Sequence, residues 1–512
     1  MTELSETEQL AHLQARMAAD SAAAFPSISQ IFAFLQESEA QMLVLIQYIC
    51  NPSKIPQVPT QGDVEFGFVL YWIHNPPAEV TAFLCDHPLL KFVYELLAGA
   101  APPTRITTGQ YNQLIADLGD YGLPWTDGTL YGTYYKYQQL DPYWMLAALN
   151  YAVNLLDPDL VHELPYNPTA SVTLTRKDGD TSCDPVIGIV GDWGTGYFPD
   201  EDPSVNCPAQ RVMDQITNPE LSPAIDYLIH LGDVYYAGTD LRPLPGEEQD
   251  NFYGLWPDQG AGRNWTLNSN HEMYGAASGY FDVTLQKGGL FDAQNGMSYF
   301  AMIYGPWLVL GLDSAYYSDA ANGMSFYMEG GIGTEWLPQQ IGWMAQFKDH
   351  RGPIMVMTHH AGADNDGGQT SLLYSQVLAA LGRPPTLWYW GHVHNAIVYD
   401  TLTDATAVPP TVYPTLGRCC GHGAIPFGNA WGLQDASGNN LPNIVYYAHT
   451  PDPDLPDTGG DNPRVRNGYA LVTLQQDGGF TEAFYETGDS TPVWQKSWTA
   501  AEISALSVGV GP

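Results

Sequence analysis

Trp388-Tyr389-Trp390-Gly391-His392-Val393-His394-Asn395 is the stretch from which the rest of the chain can be read. The apolar, aromatic run Thr386 to Trp390 predicts a short buried strand. It ends in a glycine and delivers two histidines one residue apart. In an extended chain, residues two apart share a face, so His392 and His394 are expected to point the same way and to reach neighbouring metals. A single His-x-His pair is weak evidence, because most histidines are packing or surface residues. It gains weight from four upstream stretches that carry complementary ligands, most of them just after an apolar strand-like run.

The first of these is Val190-Gly191-Asp192-Trp193-Gly194, a carboxylate at the end of a buried strand, where α/β sheets place function. Leu231-Gly232-Asp233-Val234-Tyr235-Tyr236 repeats the device of apolar strand, Gly and Asp. An Asp can bridge two metals, one oxygen to each. Asn268-Ser269-Asn270-His271-Glu272 offers a neutral carbonyl oxygen beside a proton donor. Val356-Met357-Thr358-His359-His360 ends a further apolar run with two imidazoles, one to ligate and one to orient substrate or support the ligand. Each block alone is also compatible with ordinary turn or strand-end chemistry.

The chain is 512 residues long, above the size at which a single core usually stops growing, so two domains or one decorated domain are expected. Hydrophobic residues make up 45%, enough for a packed core. The formal charge is -38, from 18 Lys+Arg against 56 Asp+Glu. Such a surface repels phosphate backbones and anionic headgroups, which argues against nucleic-acid coating and membrane adhesion. A small anionic substrate is still admissible where metal ions reverse the local field. The 6 cysteines are too few for a disulfide framework and form no Cys-x-x-Cys, so thiolate zinc is not expected. The acidic start Met1-Thr2-Glu3-Leu4-Ser5-Glu6 lacks a secretory pattern, and no apolar run spans a membrane. A cytoplasmic location is the default expectation, with an unconventional export route open.

Apolar residues recur at helical spacing through Leu10, Leu13, Met17 and on to Ile46, and further helices are predicted near Glu79 to Leu97, Thr108 to Leu118 and Pro142 to Leu156. Residues 1–169 therefore read as a helical domain or cap. From Ala170 the texture changes to short β-rich runs, helices and Gly/Pro/Asn/Asp loops, so 170–512 reads as an α/β layered catalytic domain. Strands are expected at Ser171 to Thr175, Val186 to Val190, Tyr227 to Leu231, Pro306 to Leu312, Ile354 to Met357, Asn443 to Ala448 and Tyr469 to Leu474. Helices are expected at Cys207 to Ile216, Glu335 to Lys348 and Ser371 to Leu381. Gly417-Arg418-Cys419-Cys420-Gly421-His422-Gly423 reads as a loop with buried small residues rather than a soft-metal site.

The five blocks, in this order from about Val186 to Tyr399, resemble the calcineurin-like metallophosphoesterase superfamily. The order of the blocks is more specific than any one of them. Most of that superfamily has Asp-x-His in the first block, whereas Gly194 stands at the corresponding position here. In the purple acid phosphatase branch a Tyr three residues after the second Asp fills the gap, and Tyr236 stands at that offset. The resemblance implies a four-layer α/β/β/α sandwich preceded by a mostly helical N-terminal region. It implies two metal ions. One, Fe(III), would take Asp192, Asp233, Tyr236 and His394; the other, Fe(II), Zn(II) or Mn(II), would take Asp233, Asn270, His359 and His392. Asp233 would bridge, and His271 would stabilise the phosphoryl group or protonate the leaving group. Arg263, His360 and His422 are the expected substrate contacts.

The implied reaction is hydrolysis of small phosphate monoesters by a hydroxide generated on the metal pair. Two alternatives stay open: a phosphodiesterase on cyclic nucleotides or glycerophosphodiesters, and an inert binding protein that keeps the fold. Two departures bear on this. Ser269 precedes the Asn where the family usually has Gly, and the helical N-terminal region is unlike the β-sandwich of plant-type enzymes.

Overall fold

A computed structural model describes residues 171–197, 207–240, 246–318, 327–334, 337–407, 410–425, 433–435, 437–453 and 465–508. The helical region expected over 1–169 lies outside the described residues, as does the start of the helix expected from Glu335.

The strands in chain order are β1 (Val172–Thr173), β2 (Val186–Val190), β3 (Tyr227–His230), β4 (Asn264–Thr266), β5 (Phe300–Tyr304), β6 (Trp307–Gly311), β7 (Ile354–Thr358) and β8 (Leu387–Trp390). There follow β9 (Ala396–Tyr399), β10 (Leu402–Asp404), β11 (Thr411–Tyr413), β12 (Leu416–Cys420), β13 (Ile444–Tyr447), β14 (Gly468–Leu474), β15 (Phe480–Glu486) and β16 (Trp494–Trp498). The α-helices are α1 (Pro208–Thr217), α2 (Asn270–Tyr274), α3 (Gln339–Met344), α4 (Leu372–Leu381) and α5 (Ala500–Val508).

Two sheets face each other. Among the described residues, one has eight strands in the order β1-β5-β6-β7-β8-β12-β9-β13, and the other six, β16-β15-β14-β2-β3-β4. The first has a parallel centre of β6, β7, β8 and β12, and in the second the parallel strands β2, β3 and β4 form one end. Alternation along these strands separates the layers, because successive side chains point to opposite faces. Ile187 and Ile189 of β2, Met355 and Met357 of β7, and Leu387 and Tyr389 of β8 fill the space between the sheets. The intervening residues face helices. Trp388 stacks on Tyr374 of α4 with centroids 5.4 Å apart. Gly188 leaves room for Ile216 of α1, whose Cδ1 would stand 3.0 Å from a Cβ there. The result is the four-layer α/β/β/α sandwich.

The helices start and stop for local reasons. Pro208 sits at the first turn of α1, where its missing N–H costs nothing, and Ala209, Val212, Met213 and Ile216 recur on its buried face. Ser371 caps α4 by accepting the Tyr374 N–H at 3.2 Å, and Gly382 ends it at φ 72°.

The segment Leu416–Cys420, read from sequence as a loop, is instead strand β12, inserted between β8 and β9. Its polar Arg418 hides the strand pattern, yet that side chain is buried between the sheets. There Arg418 donates to Glu482 of β15 from Nε at 2.8 Å and from a terminal nitrogen at 2.6 Å. Tyr389 and Trp498 complete the carboxylate's bonds at 2.9 and 3.0 Å. Full hydrogen bonding of both charges is what makes such a pair tolerable in a core. Among the described residues no helix is long and apolar enough to cross a membrane.

Candidate metal centre

The parallel strands of both sheets deliver the sequence blocks to one place. Asp192 follows β2, Asp233 follows β3, Asn270 opens α2 after β4, His359 follows β7 and His392 follows β8. Every one of these is buried or nearly so. Asp192, Asp233 and His392 all adopt positive φ, at 56°, 80° and 66°. Each strand therefore bends sharply as its ligand-bearing residue leaves the sheet.

Two groups of ligand atoms form. In the first, the Asp192 Oδ1 lies 3.4 Å from the His394 Nε2, and the Asp233 Oδ2 lies 3.9 Å from the same nitrogen. In the second, the Asn270 Oδ1 lies 2.8 Å from the His359 Nε2 and 3.2 Å from the His392 Nδ1, and the two imidazole nitrogens are 3.2 Å apart. Asp233 belongs to both, because its Oδ1 is 3.1 Å from the His359 Nε2. His392 and His394 thus serve different groups. They lie beyond the end of β8, where the turn at His392 cancels the shared face that an extended chain would have given them.

The second group has a shortage of hydrogens. His359 donates from Nδ1 to the Leu231 carbonyl at 2.9 Å, so its Nε2 presents a lone pair. That lone pair faces a carboxylate oxygen, an amide oxygen and another ring nitrogen. Burial pushes the His359 pKa down to about 4 and the His392 pKa down to about 3, so neither ring gains a proton near neutrality. Electron-rich atoms converging in this way fit a cation, and carboxylate, amide and imidazole donors suit first-row transition metals.

Asp192 and Asp233 sit together out of water. Burial and the neighbouring Asp233 push the Asp192 pKa well up. For Asp233 burial is the largest influence and acts in the same direction, but His359, His271 and the bonds with His394 and Asp192 together hold its pKa well down. The Asp192 Oδ2 accepts the His392 N–H at 2.8 Å. Glycines make room for this carboxylate: a Cβ at Gly391 would stand 2.6 Å from that oxygen and one at Gly421 2.7 Å.

The tyrosine expectation is corrected. It is Tyr235, not Tyr236, whose hydroxyl enters the first group, 2.8 Å from the Asp233 Oδ2, 2.9 Å from the His394 Nε2 and 3.3 Å from the Asp192 Oδ1. The backbone at Tyr236 is held from outside. Glu247 accepts the N–H groups of Tyr236 and Ala237, each at 2.9 Å, and the Tyr236 carbonyl accepts from the His271 Nδ1 at 2.7 Å. That leaves Tyr235 as the aromatic directed at the carboxylates.

Two expected substrate contacts lie elsewhere. Arg263 precedes β4, at the end of the sheet away from the ligands. Its guanidinium donates to the carbonyls of Thr175 and Arg176 at 2.7 and 3.1 Å and covers the Tyr227 ring. His422 follows β12, but its ring stacks against Phe484, 6.2 Å between centroids, and burial pushes its pKa down to about 3. The third, His360, is beside the site, its ring 4.9 Å from that of His392. Both its ring nitrogens are spent on the protein, Nδ1 with the Ser314 hydroxyl at 2.9 Å and Nε2 with the Tyr327 carbonyl at 2.5 Å. His271 lies beside the cluster, with Nε2 4.0 Å from the Asp233 Oδ2, and burial lowers its pKa against the pull of Asp233.

Supporting carboxylates went unread in the sequence. Asp313, after β6, accepts the N–H groups of Ala315 and Tyr316 at 2.9 Å and contacts Asn268 at 3.4 Å. It carries the same strand-then-Asp signal as Asp192 and Asp233. Glu272 stands three residues after Ser269, the spacing of a helix capping box, which was also legible.

No family model matches the sequence, and no curated protein matches it. Among solved structures, GAP50, the anchor in the inner membrane complex of Plasmodium, is similar at 11% identity with a TM-score of 0.39, covering 64% of this chain and 95% of that one. The purple acid phosphatase PPD1 from yellow lupin seeds is similar at 13% identity with a TM-score of 0.41, covering 68% of this chain and 58% of that one. PhoD is similar at 13% identity with a TM-score of 0.35, covering 66% and 70%.

Proposed function

We propose that this chain is a metal-dependent phosphoesterase acting on small phosphate monoesters, in the manner of the purple acid phosphatases that its sequence blocks resemble. One ion would be held by Asp192, Asp233, Tyr235 and His394, the other by Asp233, Asn270, His359 and His392. The supporting observation is the division of Asp233, with Oδ2 beside Tyr235 and Oδ1 beside His359. A phenolate with two carboxylates suits Fe(III), and the second group suits Fe(II), Zn(II) or Mn(II). When bound, such a pair lowers the pKa of water and neutralises phosphoryl oxygens.

The protein's own contribution is orientation and proton handling. Asp192 is fixed by the His392 N–H, and His359 by the Leu231 carbonyl, so the ligands need little rearrangement. His271 is held at Nδ1 by the Tyr236 carbonyl, which aims Nε2 at the ligand cluster. As an imidazolium, which burial disfavours and Asp233 favours, it would carry at Nε2 the proton for the leaving oxygen. His394 has 21% of its side chain exposed while Asp192 and Asp233 have 0% and 1%, so substrate approaches from the His394 side.

The test is metal analysis of the purified chain, followed by turnover of an aryl phosphate monoester against a bis-aryl diester. A pair of transition metals and preference for the monoester are expected. A metal-free active chain, or preference for the diester, would refute the reading.

A further inference from the structure

The Ser269 hydroxyl occupies an unusual place. It lies 2.5 Å from the Asp233 Oδ1, also contacts the Glu272 carboxylate, and accepts the His271 N–H at 3.1 Å. Ser269 is the N-cap of α2, and Ser-x-x-Glu is the sequence of a capping box. In a closed box the glutamate folds back onto the N-cap's own backbone. Here the Glu272 Oε2 reaches across to the Val234 N–H at 3.3 Å and to the serine hydroxyl. The motif has been turned outward, onto the segment that carries Asp233.

We propose that Ser269 is a positioning residue for the bridging carboxylate, fixing which oxygen of Asp233 serves which ion. This rests on the dinuclear reading above. A hydroxyl has one hydrogen to donate. The His271 N–H occupies one of its lone pairs, which directs the remaining bonding toward the carboxylates. The Asp233 Oδ1 and the Glu272 Oε2 both lie within reach of that hydrogen, and when it is donated to the Asp233 Oδ1 it stops the carboxylate turning about its own axis. Oδ1 then stays with His359, Asn270 and His392, and Oδ2 with Tyr235 and His394. Gly232 leaves the serine this position, since a Cβ on residue 232 would stand 2.8 Å from the Ser269 Cβ. A glycine at 269 would supply no such donor, so this control of the bridge belongs to chains with a hydroxyl there.

The experiment uses the full-length chain. Ser269→Ala removes the donor, and Ser269→Cys keeps the size with a much weaker donor. Metal affinity is read by chelator competition with total-metal analysis, alongside Tm and steady-state kinetics. Loss of a group that orients a ligand typically weakens metal binding by roughly 10–100-fold, and Ser269→Ala is expected in that range, with kcat lowered more than KM is raised. Ser269→Cys should fall between Ser269→Ala and wild type, and it decides the matter if the alanine variant does not fold. Unchanged metal affinity in a folded variant, with only Tm lowered, would reduce the serine to a helix cap and overturn the proposal. If the wild-type chain binds no metal pair, the dinuclear reading fails first and takes this proposal with it. Tight wild-type binding with unaffected variants refutes this proposal alone.

Discussion

The hydroxyl of Tyr235 lies 2.8 Å from the Asp233 Oδ2, whereas the next residue, Tyr236, turns its carbonyl to His271. A phenolate on ferric iron gives a charge-transfer band in the visible. With iron bound, Tyr235→Phe should therefore lose that band, while Tyr236→Phe should keep it. Absorption spectra of both variants decide the point. A band lost in Tyr236→Phe and kept in Tyr235→Phe would restore the assignment suggested by motif spacing.

His271 contacts no proposed ion but faces the cluster through Nε2. If it protonates the leaving group, His271→Ala should lower kcat by roughly 10²–10⁴-fold with metal content unchanged. The loss should shrink for substrates whose leaving group is a weak base, since these need no proton. An equal loss on good and poor leaving groups would assign His271 to binding instead.

Gly391 is required for space rather than for its backbone angle. An alanine Cβ would stand 2.6 Å from the Asp192 Oδ2 and 3.4 Å from the His359 Nδ1. Gly391→Ala should cost about 1–3 kcal/mol in denaturant unfolding and weaken metal binding, because the carboxylate must move. A Cβ at Gly342 of α3 would meet nothing within 4 Å, so Gly342→Ala is the control. It should raise stability by about 0.5–1 kcal/mol, as alanine does in a helix.

Glu248 is fully buried, and burial raises its carboxyl pKa from 4.5 to about 8 despite a hydrogen bond from Thr284. The folded chain therefore holds this proton where the unfolded chain has released it. Its contribution to stability is fully present below pH 4.5 and declines as pH rises toward about 8. Glu248→Gln should flatten that part of the pH profile, measured by urea unfolding at intervals from acid to mildly alkaline pH. An unaltered slope would show that the carboxyl ionises as readily in the fold as outside it.

Much of the architecture was legible because it is written locally. The strand Val186–Val190 is a continuous apolar run ended by Gly191, and its bounds in the fold are those read from the sequence. The helices expected over Cys207 to Ile216 and Ser371 to Leu381 are found at 208–217 and 372–381. Strand β12 was not legible, since its Arg418 is made acceptable only by Glu482, a partner far along the chain.

The sequence alone determined the order of the ligand blocks and the device that carries them: apolar strand, glycine, polar side chain. Strand formation and chain reversal depend on near neighbours, so they survive in a linear reading. Only the tertiary structure decided which tyrosine meets the carboxylates, and that the Arg263 guanidinium and the His422 ring are engaged elsewhere. Side-chain direction at a strand end depends on bonds made from elsewhere, such as those of Glu247 and His271 to the backbone at Tyr236. No spacing rule encodes those bonds.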